Sequence, residues 1–143
     1  MSKKLRLKVI TPSAIVLDQN IEQIIARSVD GELGILPDHI PFITPLSAAP
    51  LQYWVSGERM VGVVLGGMME VSKDEVTIIS DHAALAEDID VVKAEKEKQL
   101  AEAKLAQKKD KLDVQKAELE LTRLLVMLEA VELAKKLKTT RVR

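Results

Sequence analysis

The chain has 143 residues, enough to bury a core in one or two small domains without covalent staples. Lys+Arg at 21 against Asp+Glu at 22 leaves a net charge of -1, which speaks against the basic surplus of a nucleic-acid binder. With 0 Cys and 2 His there is no disulfide, no thiolate nucleophile and no Cys- or His-rich metal centre.

Aromatic content of 2% supplies too few rings to line a typical organic-ligand pocket, so composition leans toward an interaction or structural protein. Lys3, Lys4 and Arg6 precede a run too short and interrupted for a secretory signal. The longest unbroken apolar stretch, 124–128, falls far short of the ~20 residues of a spanning helix. A soluble chain is expected, with no direct membrane insertion and any membrane association made through partners.

All 5 Pro and all 6 Gly lie at or before Gly67. The first 86 residues carry 17 charges and the remaining 57 carry 26. This shift places a boundary near Glu87 and divides the chain into domains 1–86 and 87–143. In the first, residues 5–9 alternate apolar and charged, the period of a half-buried strand. Short apolar runs follow at 14–17, 21–29, 33–36, 51–55, 60–65, 68–71 and 75–79. Turn signals separate them at Asp18-Gln19-Asn20, Asp30-Gly31, Pro37-Asp38, Ser56-Gly57, Gly66-Gly67 and Ser72-Lys73-Asp74. Short strands at this spacing predict an antiparallel sandwich or flattened barrel, with Gly66-Gly67 at a bulge or a bend between sheets.

The second domain reads as helix. Residues 89–106 are rich in Ala, Glu, Lys, Gln and Leu, and the pattern resumes at Leu112 after the polar gap Lys108-Lys109-Asp110-Lys111, where Asp110 or Asp113 can cap a second helix. Val114, Ala117, Leu121, Leu124, Leu128 and Val131 form one apolar stripe on that helix. Leu119, Val126, Ala130, Leu133 and Leu137 form another. A helix apolar on two sides needs two packing neighbours. An antiparallel hairpin docked on the sandwich supplies them.

No motif carries clear chemistry. Gly31 to Pro37 lacks the Lys-Ser/Thr ending of a phosphate loop and the spacing of a dinucleotide fingerprint. Asp38-His39 and Asp81-His82 are sequence neighbours, which point to opposite faces on a strand and are poorly placed for base activation. Glu87-Asp88-Ile89-Asp90 suits a helix start by opposing the macrodipole. The basic tail Lys135, Lys136, Lys138, Arg141 and Arg143 reads either as a solvated helix end or as a docking surface for an acidic partner.

Three segments carry a family resemblance. Gly31-Glu32-Leu33-Gly34-Ile35-Leu36-Pro37-Asp38-His39-Ile40-Pro41 resembles the G-x-L-G-I-L-P-x-H-x-P segment of the epsilon subunits of bacterial F-type ATP synthases. Gly66-Gly67-Met68-Met69-Glu70-Val71 with Val76-Thr77-Ile78-Ile79-Ser80-Asp81 is similar to their G-G-x-x-E-V and V-T-V-L-A-D block, and Ala86-Glu87-Asp88-Ile89-Asp90 to their A-E-D-I-D junction. The resemblance runs nearly end to end. It implies an α+β fold: an N-terminal antiparallel β-sandwich of about ten short strands, then a C-terminal antiparallel two-helix hairpin.

It also implies a non-catalytic central-stalk subunit at the cytoplasmic face of the cell membrane, coupling proton flow to ATP synthesis. Its partners would be the gamma subunit, the membrane c-ring and, when the hairpin extends to restrain hydrolysis, the alpha and beta subunits. Glu32 and His39 become contact candidates for the c-ring or gamma, and Lys135, Lys136 and Lys138 docking candidates for the catalytic head. The ATP motif of some members, I/L-D-x-x-R-A, stands here as Ile89-Asp90-Val91-Val92-Lys93-Ala94. Lys93 replaces the Arg and cannot make its planar fork contact. Lys116 and Arg123 match basic positions of those members while Leu100 and Met127 do not. Ile89, Asp90, Lys93, Ala94 and Arg123 thus outline a weakened or absent ATP site, and no cofactor or metal is expected. The alternative is a stand-alone nucleotide-responsive sensor resting on Asp90 and Lys93, with an Asp–His enzyme a distant third.

Overall fold

The structure, a computed structural model, describes residues 3–107 and 110–141, the side chains of 139–141 excepted. Lys108 and Lys109 of the polar gap and Arg143 of the basic tail lie outside the described residues, as does the Arg141 side chain. Eight strands come first: β1 (Leu5–Ile10), β2 (Ile15–Ile21), β3 (Gln23–Ser28), β4 (Gly31–Ile35), β5 (Phe42–Val55), β6 (Glu58–Val71), β7 (Glu75–Ile79) and β8 (Ala83–Leu85). A short 3-10 turn, Ala86–Asp88, leads into helices α1 (Val91–Gln107) and α2 (Lys111–Arg141).

The alternation read in residues 5–9 is real: Leu5, Leu7 and Val9 are buried while Arg6 and Lys8 face out. Asp18-Gln19-Asn20 differs from its turn reading and continues β2, paired with Lys8, Leu7 and Arg6. Arg6 Nε donates to Asp18 Oδ1 at 2.6 Å, so these polar residues act as cross-strand partners on an edge strand.

Among the described residues the strand count is eight rather than about ten, because β6 runs on through Gly66-Gly67, read as a turn, and β5 runs on through Pro45 and Pro50. Their antiparallel pairing keeps one register from Phe42↔Val71 to Val55↔Glu58 and lapses only opposite Gly66. Pro50 falls between the Ile25↔Gln52 and Ser28↔Leu46 pairs, the interval in which β3 and β5 do not pair. At Gly67, φ is +116° and an added Cβ would collide with the Ile79 carbonyl oxygen, so the bend there accepts glycine only.

The order β2-β1-β7-β6-β5-β3-β4, with β8 on β6, corrects the all-antiparallel expectation, since β1 and β7 pair in parallel. These two strands come from opposite ends of the domain. The long connection between them leaves direction free, whereas tight hairpins force antiparallel pairing. The sheet folds over so that its two ends face each other: Leu7, Val9 and Ile78 from one end share a core with Ile24, Ala26 and Ile35 from the other.

Both helices are capped by aspartate. The Lys93 N–H donates to Asp90 Oδ1 at 3.1 Å, and the Leu112 N–H to Asp110 Oδ1 at 3.2 Å. The two apolar stripes of α2 find their two neighbours. Leu121, Leu124 and Leu128 pack on Ala94 and Ala101 of α1, whose small side chains let the helices approach. Val126, Ala130, Leu133 and Leu137 pack on Val61 and Val63 of β6 and on Ala86. Leu119, read as part of the second stripe, is exposed.

Candidate functional site

The segment from Gly31 to Pro41 forms edge strand β4 and the loop beyond it. Glu32 is exposed and pairs across the ladder with Arg27. His39 is half-buried, its ring 5.2 Å from that of Phe42, and its Nδ1–H donates to the Ile40 carbonyl at 2.8 Å. No hydrogen bond or ion pair joins Glu32 to His39 among the described residues. Asp38 takes the left-handed conformation at φ 65°. It accepts from Lys3 Nζ at 2.6 Å, and that hydrogen bond holds its carboxyl below the usual range. Asp38 and His39 therefore serve different partners and form no acid–base pair. At the second Asp–His, the buried Ser80 hydroxyl donates to the His82 carbonyl, a turn-forming role.

The outer face of the sheet carries a feature that reading by segments missed. Ile15, Ile10, Ile79, Met68 and Pro45 are successive cross-strand partners over β2, β1, β7, β6 and β5. Val29 joins this row through its N–H to the Pro45 carbonyl. Ile15 is 64% exposed, Ile79 58%, Met68 45% and Val29 58%. The neighbouring row, Asp18, Lys8, Thr77, Glu70 and Ile43, is mostly polar. An apolar band bordered by charges is the anatomy of an interaction surface. The sequence signal was present in the doublets Val9-Ile10, Met68-Met69 and Ile78-Ile79, because consecutive strand residues point to opposite faces.

The hairpin candidates are spread over separate environments. Asp90 is engaged as a helix cap, Lys93 is exposed with Glu97 at 4.0 Å, and Ala94 is buried against α2. Ile89 packs between connector and α2, and Arg123 is half-buried on α2. Lys135, Lys136 and Lys138 are exposed along the last turns of α2. Among the described residues no group of three or more His, Cys, Asp or Glu could hold a metal, and no helix is long and apolar enough to cross a membrane.

Comparison with known proteins agrees with this two-part architecture. Residues 4–86 match the family described as ATP synthase, Delta/Epsilon chain, beta-sandwich domain, and residues 87–132 its long alpha-helix domain. The ATP synthase epsilon chain of Nitratidesulfovibrio vulgaris is 41% identical over 125 residues, covering 87% of this chain and 93% of that one. That of Desulforamulus reducens is 37% identical over 132 residues, covering 92% and 100%. A chain in the cryo-EM structure of the Euglena gracilis mitochondrial ATP synthase (OSCP/F1/c-ring, rotational state 1) superposes with a TM-score of 0.77 over 90% of this chain and 81% of that one. At 24% identity, that likeness concerns the fold.

Proposed function

The chain belongs to the ATP synthase delta/epsilon chain family, a non-catalytic subunit of that complex, and on this premise we propose that it works in the central stalk as a rotor part with a movable brake. Domain 1–86 is the rotor-binding sandwich and domain 87–143 the regulatory hairpin. The observation that carries the reading is the apolar row over β2, β1, β7, β6 and β5, which the docked hairpin leaves exposed. The gamma subunit is its partner there. Glu32 and His39, on the strand and loop at the edge of the same sandwich, address gamma or the membrane c-ring. The complex then holds the chain peripherally at the cytoplasmic face of the cell membrane, where it couples proton flow to ATP synthesis.

The hairpin is the brake. Released from Val61 and Val63, α2 would free one apolar face, and Lys135, Lys136 and Lys138 would meet acidic segments of the alpha and beta subunits. ATP is a weak ligand of the hairpin at most, because the Asp90 carboxylate is committed to its cap and Ala94 to the helix interface. The test is ATP hydrolysis by the reconstituted catalytic complex, with the full chain or a truncation ending at Asp88. Faster hydrolysis with the truncated chain is expected. Equal rates with assembly intact would remove the brake and leave the sandwich as the functional unit.

A further inference from the structure

A cleft of about 690 Å3 opens between the tip of the β5–β6 hairpin, the connector and the last turns of α2, at the border of the contact that Val61, Ala86 and Leu137 make between sandwich and hairpin. The motif residues Asp90, Lys93 and Arg123 do not line it. We propose that this cleft is a binding site for an alkyl carboxylate, a fatty-acid-like monoanion seated between sandwich and hairpin.

Three observations lead there. Tyr53 lines the cleft with 2% of its surface exposed, yet its hydroxyl makes no hydrogen bond among the described residues and is not among the fully buried polar atoms. The Tyr53 ring packs with Leu51 and Val64 in the sandwich core, and its oxygen, which keeps some solvent access and feels the charge of Glu87 on the cleft wall, is left with one donor for a ligand acceptor. Burial, then the Glu87 charge, raises its pKa, so it remains an O–H donor at neutral pH. The walls are largely aliphatic: Met60, Ile89, Val91, Val131 and Leu137 come from both domains and suit an alkyl chain better than a polar ring.

The charge balance then selects the head group. Arg59, Lys135 and Lys138 line the cleft against Glu58 and Glu87, a surplus of one positive charge. That surplus suits a single carboxylate and disfavours a polyphosphate, whose extra charges would face the two glutamates.

Trp54, the only tryptophan of the chain, also lines the cleft and reports on its contents. The experiment titrates the full-length chain with sodium dodecanoate below its micelle-forming concentration and follows tryptophan emission, with calorimetry for stoichiometry. One saturable site is expected. Tyr53→Phe removes only the hydroxyl and should weaken binding about fivefold, the worth of one hydrogen bond. Lys138→Ala, at an exposed position, should weaken it as well and serves as the readout should Tyr53→Phe unfold. Dodecanol, with the same chain and no charge, should bind at least about tenfold more weakly, and dodecyltrimethylammonium not at all. Absence of saturation, equal affinity for dodecanol and dodecanoate, or unchanged binding in both variants would overturn the proposal.

Discussion

At Gly67 the backbone sits at φ +116° and an alanine Cβ would press on the backbone of Ile79, which belongs to a paired strand and cannot step aside. Gly67→Ala should therefore destabilise the chain by about 3 kcal/mol, seen as a lower urea midpoint with unchanged slope. Gly34→Ala, with nothing within 4 Å and an ordinary φ, is the control and should stay within about 0.5 kcal/mol. The bend was legible because a Gly pair between two apolar runs has few other uses. Tyr53 was not, since nothing in Leu-Gln-Tyr-Trp-Val tells which polar tip reaches a cleft. Its pKa in the folded state lies above the ordinary 10.0, so above pH 10 the unfolded chain loses the phenol proton before the folded chain does. Fewer protons on the unfolded state means stability falls as pH rises through that window, with no effect below it. Melting temperatures measured from pH 9 to 11 should show a decline that is smaller in Tyr53→Phe.

At the scale of elements, α2 is the informative case. Its sequence announced two apolar stripes and hence two neighbours, and the structure supplies α1 on one side and β6 on the other. The two interfaces are separable. Ala130 is fully buried against Val61 and Val63 and takes no part in the α1–α2 cluster. A glutamate there would bury an unpaired carboxylate on the sandwich side alone, so Ala130→Glu should weaken docking by about 3 kcal/mol or more while leaving the hairpin closed. Limited proteolysis should then cut the 86–90 connector sooner, with α-helical circular dichroism preserved. A loss of helix in step with the cutting would show that the hairpin needs the sandwich to fold. What the sequence did not reveal at this scale was pairing. The parallel β1–β7 contact and the continuity of β5 and β6 depend on partners distant in the chain, and local alternation carries no information about direction.

For the whole molecule, the decisive property is that one surface is finished and another is not. The hairpin covers Val61, Val63 and Ala86, whereas the row from Ile15 to Val29 stays open. Each doublet that supplies the row also supplies the core, since Val9, Met69 and Ile78 are buried where Ile10, Met68 and Ile79 look outward. The outward members are therefore no by-product of core packing; a polar residue would serve the isolated fold as well. Ile79→Glu should accordingly keep the melting temperature of the isolated chain within a few degrees, because an exposed strand position changes stability by about 0.5 kcal/mol or less. On the proposed role of the row, the same variant should lose at least about tenfold in affinity for the gamma subunit, since a charge would stand in the apolar centre of that proposed contact. Leu125→Glu, at an apolar and exposed position on α2, should leave that affinity unchanged. Pull-down and surface-binding titration with gamma separate the two. If both variants bound as the parent does, the row would be mere surface, and the recognition of gamma would have to pass to the loop that carries Glu32 and His39.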